Sequence, residues 1–257
     1  MKNKQQVILA LSGLLAGVLA GFLGIGGGSL LVPILVTLGN EPVQSVAISN
    51  LAIAIISLSG SIQNWRMGKL NLKRVFYLSL PALITAQIGV YFANQLPSTL
   101  LLTAFGILLL VNVYLVGLRK KLTHNTAETS QHQKLISNSM IAKIAAGSLA
   151  GLLAGLFGVG GGVIIVPLQI VFLGETIKVA IQTSLGVICI TAISATMGHS
   201  FHGNVLFTDG IILGIGGIIG SQFSTRMLPK LPDKVILFAF RIILASLSIY
   251  ILYKANS

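Results

Sequence analysis

Carboxylates are almost absent from this sequence. Only five of 257 residues are Asp or Glu: Glu41, Glu128, Glu175, Asp209 and Asp233, none in the middle of a long apolar run. Proton relays and sodium sites in membranes usually carry a carboxylate near the midplane, so the shortage weighs against a cation transporter and suits an anionic cargo. Charge of either sign is thin, at 9% of residues, where a soluble domain carries about a quarter. Cysteine is limited to Cys189, inside an apolar run. That excludes an intrachain disulfide and a cysteine-built metal site, and Cys189 reads as a small buried hydrophobe. No Gly-Lys-Ser/Thr follows the glycine clusters, so there is no phosphate-binding loop of the Walker type. The chain is therefore expected to be neither an ATPase nor any other enzyme, and to need no cofactor.

What is abundant is apolar surface. Hydrophobic residues make up 54% of the chain and mean hydropathy is +0.92. Too few polar groups remain to cover such a protein, so a lipid bilayer must cover it. The net charge of +12 comes from Lys and Arg clustered between apolar segments, as the positive-inside rule expects for cytoplasmic loops. That explanation suffices, and no nucleic-acid partner is expected. The N-terminal stretch, basic then apolar then small, imitates a secretory signal. Its recurrence near Ile144–Gly155 assigns it to the fold instead.

The central feature is a repeat. GFLGIGGGSLLVP at Gly21–Pro33 returns as GLFGVGGGVIIVP at Gly155–Pro167, at a constant offset of 134 residues. Apolar stretches run over about 7–23, 29–38, 44–63, 75–93 and 98–117, then 141–157, 163–173, 179–198, 210–225 and 235–253. Most approach the roughly 20 residues that span a bilayer. The two that follow the glycine clusters are about half that length. The expected fold is an all-α integral membrane protein of two homologous repeats, 1–118 and 141–257, joined by a polar cytoplasmic linker, 119–140. Each repeat reads as four transmembrane helices plus a half-helix, giving eight spans and two half-helices. The alternative is five crossings per repeat with the repeats inverted. Loop charges do not choose between them, because Lys2, Lys4 and Lys254 offset Arg226, Lys230 and Lys234.

Glycine clusters that interrupt membrane helices mark the binding sites of many transporters. Gly26, Gly27 and Gly28, like Gly160, Gly161 and Gly162, permit positive φ and close approach of another backbone or a ligand. A half-helix starting directly after them presents free N–H groups and a positive dipole end, which attract an anion. Non-helical backbone is expected at Gly24–Gly28 and Gly158–Gly162. Ser29, Asn50, Thr183 and Ser184 join the candidate substrate site, as groups able to hydrogen-bond oxyanion oxygens. So does Arg241, the one cation well inside an apolar stretch, although a snorkelling side chain would give the same pattern. Gly13, Gly17 and Gly21, with Gly147, Gly151 and Gly155, are assigned to close helix packing. Glu41 and Glu175, at equivalent positions, read as turn residues or as a gating pair. His199 and His202 have no third ligand nearby, so no metal is expected, and a proton-sensing role stays open.

With two G-x-x-G-[IV]-G-G-G-x-[LI]-[LIV]-V-P motifs, a polar linker and this length, the chain resembles the TauE/SafE (TSUP) family of membrane transporters over essentially its whole length. That resemblance implies a permease or exporter of the cytoplasmic membrane for sulfite, another sulfur oxyanion or an organosulfonate. An anion channel, or a non-transporting subunit of a larger complex, remains the alternative. The exact substrate, direction, coupling ion and any homo-oligomer are not legible in the sequence.

Overall fold

The computed structural model describes residues 2–122 and 140–255, and all regular structure among them is helical. The first half holds α1 (Lys2–Leu23), α2 (Gly28–Thr37), α3 (Pro42–Arg66), α4 (Leu72–Gln95) and α5 (Ser98–Leu122). The second holds α6 (Met140–Phe157), α7 (Gly162–Phe172), α8 (Ile177–Phe201), α9 (Phe207–Met227) and α10 (Asp233–Ala255). Of the expected linker, residues 119–122 belong to α5, and 123–139 lie outside the described residues. Seven helices are long and apolar enough to cross a membrane, while α2, α7 and the described part of α5 are shorter.

The exterior is apolar. Phe76, Ile84, Ile215, Ile219, Phe238 and Ile249 are among the large side chains that face outward, as a lipid-covered surface requires. The most apolar windows of α3 and α8 are 78% and 83% buried, against 28% to 50% for the other five long helices. These two helices form the centre. Both are long for buried segments, and both carry buried Ser, Thr, Asn or Gln side chains among Ala, Ile and Val.

Packing partners come from the opposite half of the chain. A Cβ on Gly13, Gly17 or Gly21 of α1 would strike Leu213 O, Gly217 O or Ser224 Oγ of α9. On α6, Gly147, Gly151 and Gly155 meet Leu78 O, Ala82 O and Ala86 O of α4 in the same way. These glycines let two backbones touch, the role expected of them. The residue pairs also give direction. Both interfaces are parallel, as are α3 with α9 (Leu51 on Gly210, Ile55 on Gly214) and α4 with α8 (Val75 on Gly186, Val90 on Gly198). By contrast, α3 and α8 are antiparallel: Gly60 faces Leu185, and Ala54 O faces Cys189 Sγ at 4.0 Å.

One consequence concerns the half-helices. Because α1 and α3 both run parallel to α9, they run the same way as each other. The segment between them therefore carries the chain back toward the end from which α1 set out. A half-helix that dipped in and returned, as in the four-span reading, would leave α1 and α3 antiparallel. A helix of ten residues (α2) covers only about 15 Å, about half of the hydrocarbon core of a bilayer.

Charges segregate to the two ends. Arg66, Lys69, Lys73, Arg74, Lys178, Arg226, Lys230 and Lys234 gather at one end. There Arg74 bonds Glu175 at 2.7 Å, and Lys178 meets Asp233 at 3.6 Å and Pro229 O at 3.1 Å. Lys4, Glu41, His202, Asp209 and Lys254 lie at the other end.

Candidate functional site

The glycine breaks form as expected, with one refinement of the boundary. Residues 24–27 and 158–161 are non-helical, while Gly28 and Gly162 are already the first residues of α2 and α7. Gly27 and Gly161 cap these helices with φ of 83° and 79°. A residue with a Cβ occupies that region at a cost of about 1–2 kcal/mol. Leu30 N and Leu31 N bond Gly27 O, each at 3.1 Å, and Ile164 N and Ile165 N bond Gly161 O at 3.2 and 2.9 Å. The N–H groups of Gly28, Ser29, Gly162 and Val163 lie ahead of these first bonds, with no acceptor among the described residues.

The two loops meet at the centre of the bundle. A Cβ on Gly28 would strike Gly158 O, and one on Gly162 would strike Gly24 O. Gly26 and Gly160 both lie against the same two side chains, Ile53 of α3 and Ile188 of α8. So the starts of α2 and α7, each the positive end of a helix dipole, are brought together within an apolar collar. The collar is tight. A Cβ on Gly26 would come within 3.1 Å of both isoleucines, and one on Gly160 within 2.6 and 2.9 Å.

The hydroxyl groups singled out by register do a more specific task than general oxyanion binding. Ser49 Oγ donates to Gly158 O at 2.8 Å and Ser184 Oγ to Gly24 O at 3.0 Å. Each central helix thus holds the first carbonyl of the other half's glycine loop. Thr191 Oγ1 adds a bond to Gly160 O at 3.0 Å. Asn50 Nδ2 reaches Ala154 O at 3.4 Å in the last turns of α6. Ser29 is buried in the first turn of α2, and its Oγ lacks a partner among the described residues. Thr183 is buried beside Ser184. Arg241 is half-buried on α10, which packs mainly on α5.

Sequence reasoning missed Ile53, Ile188 and Thr191. All three look like ordinary helix residues until the antiparallel crossing of α3 and α8 sets their register. Glu175 holds Arg74, whereas its counterpart Glu41 is the exposed N-cap of α3. Among the described residues no group of three His, Cys, Asp or Glu could hold a metal ion.

Known proteins match this chain over nearly its whole length. Probable membrane transporter protein YunE of Bacillus subtilis is 25% identical, covering 96% of this chain and 97% of its own. Probable membrane transporter proteins of Methanocaldococcus jannaschii and of Xylella fastidiosa strain 9a5c are 25% and 28% identical, each over 95% of this chain and 94% of theirs. No solved structure matches. The family model described as Sulfite exporter TauE/SafE matches residues 9–251. With its helices apolar enough to cross a bilayer several times over, this chain is a multi-pass membrane protein and belongs to the TauE/SafE family.

Proposed function

We propose that this protein is a secondary transporter of a small anion, a sulfur oxyanion or an organosulfonate, and that it performs no catalysis. The observation that carries the reading is the meeting of α2 and α7 by their N-terminal ends, at Gly28 against Gly158 and Gly162 against Gly24. Free N–H groups and two dipole ends there favour negative charge without a buried cation. The substrate class follows the family's description as sulfite exporters and the scarcity of carboxylates.

The helix directions support ten crossings, five per repeat in inverted orientation, with α2 and α7 completing the second crossing of each. The basic end then faces the cytoplasm, together with the 119–140 linker, and both chain termini face outward across the cytoplasmic membrane. Ile53 and Ile188 close the site in this state. Transport then proceeds by alternating access as the repeats rock against each other. The same closure separates this reading from an open anion channel. Uptake of labelled sulfite, sulfate, thiosulfate, taurine and a carboxylate into proteoliposomes tests it. Saturable exchange of one or more sulfur anions supports the proposal. Conductance that rises with voltage without exchange, or no movement of any of these anions, overturns it.

A further inference from the structure

Unpartnered polar atoms are costly inside an apolar bundle. Two of them belong to side chains bonded to the last turns of α6, and a third lies at the same level of the bundle. Asn50 Oδ1, His199 Nδ1 and Ser45 Oγ have no hydrogen-bond partner among the described residues, and each residue is 0% exposed. Asn50 Nδ2 points to Ala154 O at 3.4 Å, and His199 Nε2 lies 3.1 Å from the adjacent Gly155 O. Ser45 sits one turn before Ser49, and the antiparallel register of α3 on α8 puts it level with His199.

Those carbonyls decide the chemistry. A carbonyl oxygen only accepts, so Nε2 of His199 must carry the hydrogen and donate it. In the neutral ring the free lone pair is then on Nδ1. The same argument turns Asn50 Oδ1 away from Ala154 O and leaves it as a bare acceptor. A basic nitrogen with a free lone pair, beside the negative end of a helix, is a place where a proton can bind. The repeat-equivalent place in the bundle lacks this set, since Trp65, Ser184 and Val179 occupy the positions equivalent to His199, Asn50 and Ser45.

We propose that His199 is the proton-binding site that couples proton movement to anion movement, an inference that rests on the transporter reading. The proton joins the Nδ1 lone pair while Nε2–H stays on Gly155 O, giving an imidazolium held by the last turns of α6 through Gly155 O. The end of α6 runs directly into the loop at Gly158–Gly162. Proton and anion thus bind a few residues apart, each offsetting the other's burial, and they cross in the same direction. Fixed charge at this level is sparse. On the packed elements, Glu41 caps α3, Lys4 lies near the start of α1, and His202 sits one turn further along α8 with Nδ1 on Gly198 O at 2.9 Å. Lys143 of α6, Lys73 and Arg74 of α4, and Lys178 of α8 lie at the opposite end, and α7 has no charged residue.

The test uses the full chain in proteoliposomes with an internal pH dye, the membrane potential clamped, and labelled sulfate and thiosulfate outside. Both anions stay deprotonated near neutrality, so any proton that enters with them is carried by the protein. The expected wild-type result is internal acidification tied to anion entry, with accumulation driven by an inward proton gradient. His199→Gln keeps a donor for Gly155 O but has no titratable nitrogen, and it should lose at least tenfold of the acidification and of the gradient-driven accumulation. A residue that only caps α6 would be replaced by Gln without effect on proton movement, which would overturn the proposal. Anion entry without protons in the wild type would overturn it too, independently of how the variant folds, and would leave the transporter reading standing. Movement of none of the panel anions would remove both.

Discussion

Replacing Ser184 by Ala removes the hydroxyl that holds Gly24 O at 3.0 Å, and the equivalent loss for Gly158 O follows Ser49→Ala, at 2.8 Å. Hydrogen bonds between membrane helices average only about 0.6 kcal/mol, because a chain unfolded in the membrane finds other partners. Gly24 O and Gly158 O differ from that average. They lie in non-helical backbone at the buried centre, where a carbonyl left bare costs about 1–3 kcal/mol. A loss of about 2 kcal/mol per site is therefore expected, equivalent to a drop of roughly 30-fold in the population of the ordered loop. Anion affinity should fall by about tenfold or more if that loop holds the substrate. The proper control is Ser57→Ala, which removes back-bonds to Ile53 O and Ala54 O within α3 and a contact with Cys189 but touches neither glycine loop, and should cost about 0.6 kcal/mol. The assay pairs melting of the purified protein with the substrate concentration that half-saturates uptake. The loops touch at Gly28 on Gly158 and Gly162 on Gly24, so the double variant should depart from additivity by more than about 0.5 kcal/mol. Equal melting and equal affinity for S49A, S184A and the Ser57 control would refute the claim that these hydroxyls position the site.

Other outcomes follow from the same geometry. Gly17→Val drives a side chain into Gly217 O across the α1–α9 interface and should lower melting sharply, by about 3 kcal/mol or more from overpacking and backbone shift. Gly27→Ala puts a Cβ 2.7 Å from Ala16 O at a φ of +83°; it should abolish saturable uptake and also lower melting, so the two readouts must be taken on the same preparation. In a background with Cys189 replaced by Ala, a cysteine at Lys69 should resist impermeant thiol reagents added outside intact cells, while one at Gly203 should react; the reverse pattern would overturn the assigned orientation.

The repeat made the glycine breaks, the half-helices and the small-residue stripes legible, because each has a local cause: glycine for positive φ, short side chains for close backbone contact. Partner choice has no local cause. Gly13, Gly17 and Gly21 announce a tight interface, but nothing in their spacing says that it is made with α9, more than 190 residues away. Orientation was hidden for a different reason. The basic residues at Lys2, Lys4 and Lys254 counterbalance those at Arg226, Lys230 and Lys234, and only the parallel run of α1 and α3 separates the two arrangements. Ser49 and Ser184 were legible as polar groups in register. That each reaches into the loop of the opposite half depends on the antiparallel crossing of α3 and α8, a tertiary fact.

The central claim is that the anion sits where the starts of α2 and α7 meet. Selenate and selenite share the shape and charge of their sulfur counterparts and scatter anomalously. Diffraction data from crystals grown with them would locate the anion directly. The account predicts an anomalous peak within about 4 Å of the backbone nitrogens of Gly28 and Ser29 or of Gly162 and Val163, the selenium lying one bond beyond an oxygen at hydrogen-bond distance. A peak beside Arg241 or on the basic face around Lys69 and Lys230, with none at the glycine loops, would contradict it.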